Sequence, residues 1–136
     1  MKASIITLFL FFISLVVSTA QISTRTIKWK VSGVQDVVAG RPTDQFKELI
    51  STPTKVDFIS KNGVLAASIA VVGSNGSWDN IDQDGGATLK IESGAQKGQL
   101  IFKRTGGKLF ITMIILEGAS RSIFDLSCSG YEFVTP

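Results

Sequence analysis

Three aspartates, Asp79, Asp82 and Asp84, stand within NGSWDNIDQDGG, Asn75 to Gly86, beside an Asn-x-Ser acceptor and a pair of glycines. Carboxylates at this spacing offer a calcium loop or an acid–base pair. Asn80, Asp82, Asp84 and Gly85 take the first, third, fifth and sixth positions of the calcium-loop pattern. Its last position, however, holds Ile91 where a bidentate glutamate is needed, and Glu92 misses by one. Acid–base work needs burial or a neighbour that pushes two carboxyl pKa values apart, and these residues sit among Asn, Gln and Gly. An aspartic-protease loop would read Asp-Thr-Gly or Asp-Ser-Gly, whereas this one reads Asp-Gly-Gly. The remaining reading is a solvated turn, in which Asn and Asp bond back to their own backbone. That turn is the expectation, with no catalytic residue, no metal and no cofactor. Asn75-Gly76-Ser77 meets the acceptor rule, so Asn75 is expected to carry a glycan on a solvent-facing loop.

Reactive groups elsewhere are few. The chain has no histidine, which excludes Ser-His and Cys-His catalysis, imidazole metal sites and histidine pH switches. Cys128 is the only cysteine, so no internal disulfide forms and the thiol is buried, free or paired with another molecule.

The amino terminus has the order of a secretory leader. Met1-Lys2 precedes the apolar run Ile5 to Val17, and Ser18-Thr19-Ala20 supplies small residues. Cleavage is expected after Ala20. The run is shorter than the roughly 20 residues that cross a bilayer, so no membrane association is expected of the mature chain. Residues 21–136 then form one domain of an extracellular protein, monomeric or weakly self-associating. Without Lys2, 13 of the 14 basic residues face 11 acidic ones, a net +2, which gives no case for specific nucleic-acid binding.

The elements that must position these residues have period two. Ile27, Trp29 and Val31 oppose Thr26, Lys28 and Lys30, and Leu89 and Ile91 oppose Thr88, Lys90 and Glu92. Asn62-Gly63 reads as a two-residue hairpin turn, with further turns at Gly94 to Gly98 and at Thr105-Gly106-Gly107. Leu109 to Leu116 is apolar on both faces, as in a central core strand or a strand whose outer face meets a partner. Asp44 to Ser51 offers a helical alternative through Phe46, Leu49 and Ile50. The fold class expected is all-β, a single antiparallel β-sandwich or flattened barrel.

Arg25, Lys28 and Lys30 form a basic stripe on the first strand. It reads either as a surface for an anionic partner such as bacterial envelope or glycosaminoglycan, or as a lysine-guarded edge strand.

VAGRPTDQFKELI and DQDGGATLKIESGAQKGQLIFKRTGGKLFITMIILEG resemble the insect family of multiprotein bridging factor two, a transcription activator, a group that includes the lepidopteran response-to-pathogen proteins. The resemblance spans about 38–118, and residues 119–136 read as a C-terminal extension that packs on the domain or meets a partner. The matching positions are Gly40, Arg41, Asp44, Gly85, Gly86, Ala87, Gly94, Gly98 and Gly107. The glycines read as turn makers, and Arg41 with Asp44 as a local ion pair. The resemblance implies a small secreted, non-enzymatic binding protein of insect defence, gut response or salivary or venom secretion. Its alternative implication is a transcriptional co-activator that bridges an activator to the general transcription machinery.

Overall fold

The computed structural model describes residues 22–43 and 45–135. The leader, residues 1–20, and the Arg41–Asp44 pairing lie outside the described residues.

Among the described residues nine strands follow a 3₁₀ turn, Ile22–Thr24: β1 Ile27–Asp36, β2 Arg41–Thr43, β3 Phe46–Ser51, β4 Lys55–Ser60, β5 Leu65–Asn75, β6 Gly85–Ser93, β7 Gln96–Thr105, β8 Lys108–Glu117 and β9 Ser120–Phe133. All pairings are antiparallel. Neighbours in sequence pair from β3 through β9, and β9 returns to β1, so eight strands close a barrel. Closure removes the free edges that an open sheet presents to other chains. β9 lines one flank of β1 throughout, so β3 and the extra strand β2 share the other, at opposite ends of β1. A register shift between Lys30 and Gly33 bends β1 where its partner changes.

The segment 46–51 is strand, not helix. Three apolar residues at helical spacing are a weak signal, and ladders to both β1 and β4 satisfy its backbone instead. The β6–β7 turn is confined to Gly94-Ala95, since Ser93 pairs with Gln96, and Gly98 lies inside β7. Gly106 and Gly107, with φ of 58° and 79°, form the two-residue β7–β8 loop, and two successive positive φ values suit the right-handed twist of a hairpin. The Asn62-Gly63 hairpin is wider than a two-residue turn. Gly63 N donates to Ser60 O and Ser60 N to Val64 O, and only Gly63 has positive φ, the pattern of a three-residue loop with a bulge.

The interior is apolar and filled. Trp29, Leu49, Phe58, Leu89, Ile91, Leu100, Phe102, Ile111 and Leu126 are all but inaccessible, and Trp29 packs on Phe102 with ring centroids 4.8 Å apart. Its indole NH donates to Ser51 Oγ at 2.9 Å, which satisfies a polar residue buried in the core. The described part of the C-terminal stretch, residues 119–135, is not an appendage. β9 is a stave paired along its length with β8 and β1, and its Leu126 is buried. The stretch 38–118 therefore lacks two of the eight barrel strands, β1 and β9.

Candidate binding face

The acidic stretch closes one end of the barrel. Between β5 and β6, Trp78 and Ile81 turn inward and join the core, each 3% exposed. The loop is therefore a cap as well as a turn, which corrects the expectation of a purely solvated segment. Burial of an indole and a sec-butyl group contributes about 1.5–3 kcal/mol each, more than the turn's own hydrogen bonds supply. The polar groups around the cap are committed to holding it. Asn80 Oδ1 accepts from Asp82 N, Asp82 Oδ1 accepts from Tyr131 Oη at 2.8 Å, and Asp84 Oδ2 accepts from Gly106 N. Trp78 Nε1 donates to Gln83 O, and Arg104 Nε donates to Ile81 O at 2.6 Å. Burial first, then the hydrogen bond to Asp82 and its charge, raise the Tyr131 pKa. Among the described residues no group of three or more acidic, cysteine or histidine side chains is placed to hold a metal ion.

The matched glycines divide into two kinds. Gly40, Gly94 and Gly107 lie in turns with positive φ. Gly85, Gly86 and Gly98 are strand residues, not turn makers, and each is a site of close approach. A Cβ at Gly85 would stand 2.6 Å from the Trp78 ring, one at Gly86 would stand 2.7 Å from Phe102 O, and one at Gly98 would meet Ile114 O. Ala87 is half-buried against the core, and Arg41 opens β2 opposite Asp36. Asn75 is exposed at the end of β5, in the ladder row that runs through Thr88 and Ile101. Cys128 points toward the core beside Leu109 and Val31, and burial pushes its thiol up to about 12.

The basic stripe is less available than its sequence suggests. The Arg25 guanidinium lies 3.7 Å from the centroid of the Phe133 ring, and Lys28 pairs with Glu132 at 3.3 Å. Lys30 stands opposite Glu48 in the ladder. β1 is paired on both flanks, so it is not an edge strand.

A separate feature lies on the outer face of β7, β8 and β9. β8 alternates Leu109, Ile111 and Met113 inward with Phe110, Thr112, Ile114 and Leu116 outward. The core placement expected for both faces holds for the first set only. Phe110 is 37% and Leu116 46% exposed. The ladders set Ile114 between Gln99 and Ile123, Leu116 between Lys97 and Arg121, and Phe110 between Lys103 and Ser127. Outward apolar residues thus recur on β7, β8 and β9, with Ile123 directly beside Ile114 and cations among the rest, and Val72 of β5, 56% exposed, lies past Lys90.

Two grooves mark this wall. One, of about 510 Å³, is lined by Val72, Lys90, Lys97, Ile114, Leu116 and Arg121 among others. The second, of about 690 Å³, has Asp125 and Ser127 on its floor, Ile101, Lys103, Phe110 and Thr112 on one side, and Gln35, Pro42 and Thr43 on the other. Thr112 Oγ1 donates to Asp125 Oδ1 at 2.8 Å across that floor. Four cations, Lys90, Lys97, Lys103 and Arg121, face two carboxylates, Glu92 and Asp125, so the wall is net positive. The ion pairs Lys28–Glu132 and Lys55–Asp57 lie elsewhere.

The sequence offered an outward-facing 109–116 as one of two alternatives, but not its neighbours on β9, because Gly118 was not read as a turn. The two-residue loop Gly118-Ala119 pairs Glu117 with Ser120, and that register alone brings Ile123 opposite Ile114. Compared with protein-family models, with curated proteins and with solved structures, the chain gives no match.

Proposed function

We propose that the protein is a small secreted, non-enzymatic binding protein, acting outside the cell in insect defence, gut response or salivary or venom secretion. The observation that carries the binding role is the outer wall of β7, β8 and β9, where Ile101, Phe110, Ile114, Leu116 and Ile123 stand on the water side of a closed barrel whose interior is already full. Apolar side chains left on the outer surface of a barrel, with Phe110 and Leu116 exposed and Ile101, Ile114 and Ile123 half-buried among them, mark interaction sites. The leader-like residues 1–20 and the acceptor at exposed Asn75 support secretion, and the resemblance over 38–118 supports the biological setting.

The test is mass spectrometry of the protein from the fluid that contains it, with affinity capture of whatever accompanies it. The expected result is a chain that begins at Gln21, carries a glycan on Asn75 and retains a partner through the β7–β9 wall. Nuclear residence with residues 1–20 retained would contradict it and favour the co-activator role.

A further inference from the structure

We propose that the β5–β9 outer wall is a docking face for an anionic phospholipid surface; this rests on the binding role above and specifies its partner. Lys90, Lys97 and Arg121 surround Val72, Ile114 and Leu116, so the face offers aliphatic side chains and cations at the same level. A lipid headgroup layer presents the complement, anionic phosphates above acyl chains. Lys and Arg stems lie along apolar surface while their charged ends reach the phosphates, and exposed aliphatic groups between them enter the acyl boundary.

Other occupants fit this chemistry less well. Protein–protein interfaces gather apolar residues into a core depleted of lysine, whereas here cations stand among the apolar residues: Leu116 lies between Lys97 and Arg121, and Phe110 beside Lys103. A second copy would set four cations against four. Strand addition needs a free backbone edge, and β7 and β8, at the centre of the face, are hydrogen-bonded on both flanks. A barrel that spans a membrane carries an apolar belt outside and a polar lumen; this barrel has the reverse interior, with Trp29, Phe58 and Phe102 at its centre. The contact is therefore peripheral. It departs from the expectation of no membrane association, which weighed spanning segments only.

The experiment is co-sedimentation of the mature secreted protein with phosphatidylcholine vesicles, with and without phosphatidylglycerol, at low and high salt. Binding is expected only with phosphatidylglycerol, and weaker at high salt. Each cation near an anionic surface changes partition about fivefold, so K97Q/R121Q is expected to lower it by about tenfold or more. K28Q/K30Q removes the same charge from β1, outside the proposed face, and is expected to change it by less than about threefold, because Lys28 already pairs with Glu132 and Lys30 stands opposite Glu48. Unchanged circular dichroism confirms that both variants fold. No sedimentation with phosphatidylglycerol at low salt, or equal losses in the two variants, overturns the proposal. If vesicles fail while capture through the same wall retrieves a protein, the lipid assignment falls and the binding role stands. If both fail, neither survives.

Discussion

The hydroxyl of Tyr131 donates to Asp82 Oδ1 at 2.8 Å, joining the last strand of the barrel to the loop that caps it. The two residues are 49 positions apart, and the ring of Tyr131 also lies 5.9 Å from that of Trp29. The cap is held by the core through Trp78 and Ile81 and by the wall through Tyr131. Tyr131→Phe keeps the ring and removes the hydrogen bond. It is expected to lower stability by about 0.5–1.5 kcal/mol in chemical denaturation and to speed amide exchange across residues 77–84. Unaltered exchange there would show that the hydroxyl does not hold the loop.

Trp78 lies where a side chain at position 85 would be. Gly85→Ala must move the indole or the strand, and overpacking of this kind costs about 1–3 kcal/mol. Gly33 has nothing within 4 Å of its would-be Cβ, so Gly33→Ala is the matched control, expected to change stability by less than about 0.5 kcal/mol. Equal melting temperatures for the two variants would contradict the close packing of Trp78 on β6.

How much of this was legible in the sequence depends on the range of the interaction concerned. β6 was readable because Leu89 and Ile91 alternate with Lys90 and Glu92, a property of neighbouring residues. β3 was not, since its ladders to β1 and β4 outweigh a local helical spacing. Gly98 resembled a turn residue because glycine's two uses, positive φ and close approach, look alike in one dimension; only the position of Ile114 O separates them. The cap had a signal that was passed over: a tryptophan and an isoleucine in an otherwise polar loop. The all-β class and the strand faces were local, whereas the closure through β9 and the apolar outer wall depend on register between distant strands.

Barrel closure makes a further prediction. The fragment 38–118 omits β1 and β9, whose Trp29 packs on Phe102 and whose Leu126 pairs beside Ile111. It is expected to remain unfolded when expressed alone, with amides exchanging at the rate of an unstructured chain. A cooperatively melting fragment would mean that β1 and β9 are additions to a self-sufficient core.

The Cys128 thiol gives an alkaline signature. Its pKa is raised from 9.0 to about 12 by burial, so above pH 9 the unfolded chain releases a proton that the folded chain keeps. The associated stability is complete below about pH 9 and is lost as pH rises toward 12. Against Cys128→Ala, the wild type is expected to lose more stability, about 1 kcal/mol, between pH 9 and pH 10.5, a figure discounted because the thiol is only partly buried. Parallel stability curves for the two proteins would place the thiol in water.

The most direct test of the binding role compares two walls of one barrel. Phe110→Ser with Leu116→Ser removes exposed apolar groups from β8, and Lys28→Gln with Lys30→Gln removes charge from β1; outward strand positions such as these change stability by about 0.5 kcal/mol or less. Both proteins are put through affinity capture in the fluid from which the natural protein is recovered. Loss of the partner in the β8 variant and its retention in the β1 variant is the result predicted. Retention in the β8 variant with loss in the β1 variant would contradict the assignment and return the site to the basic stripe.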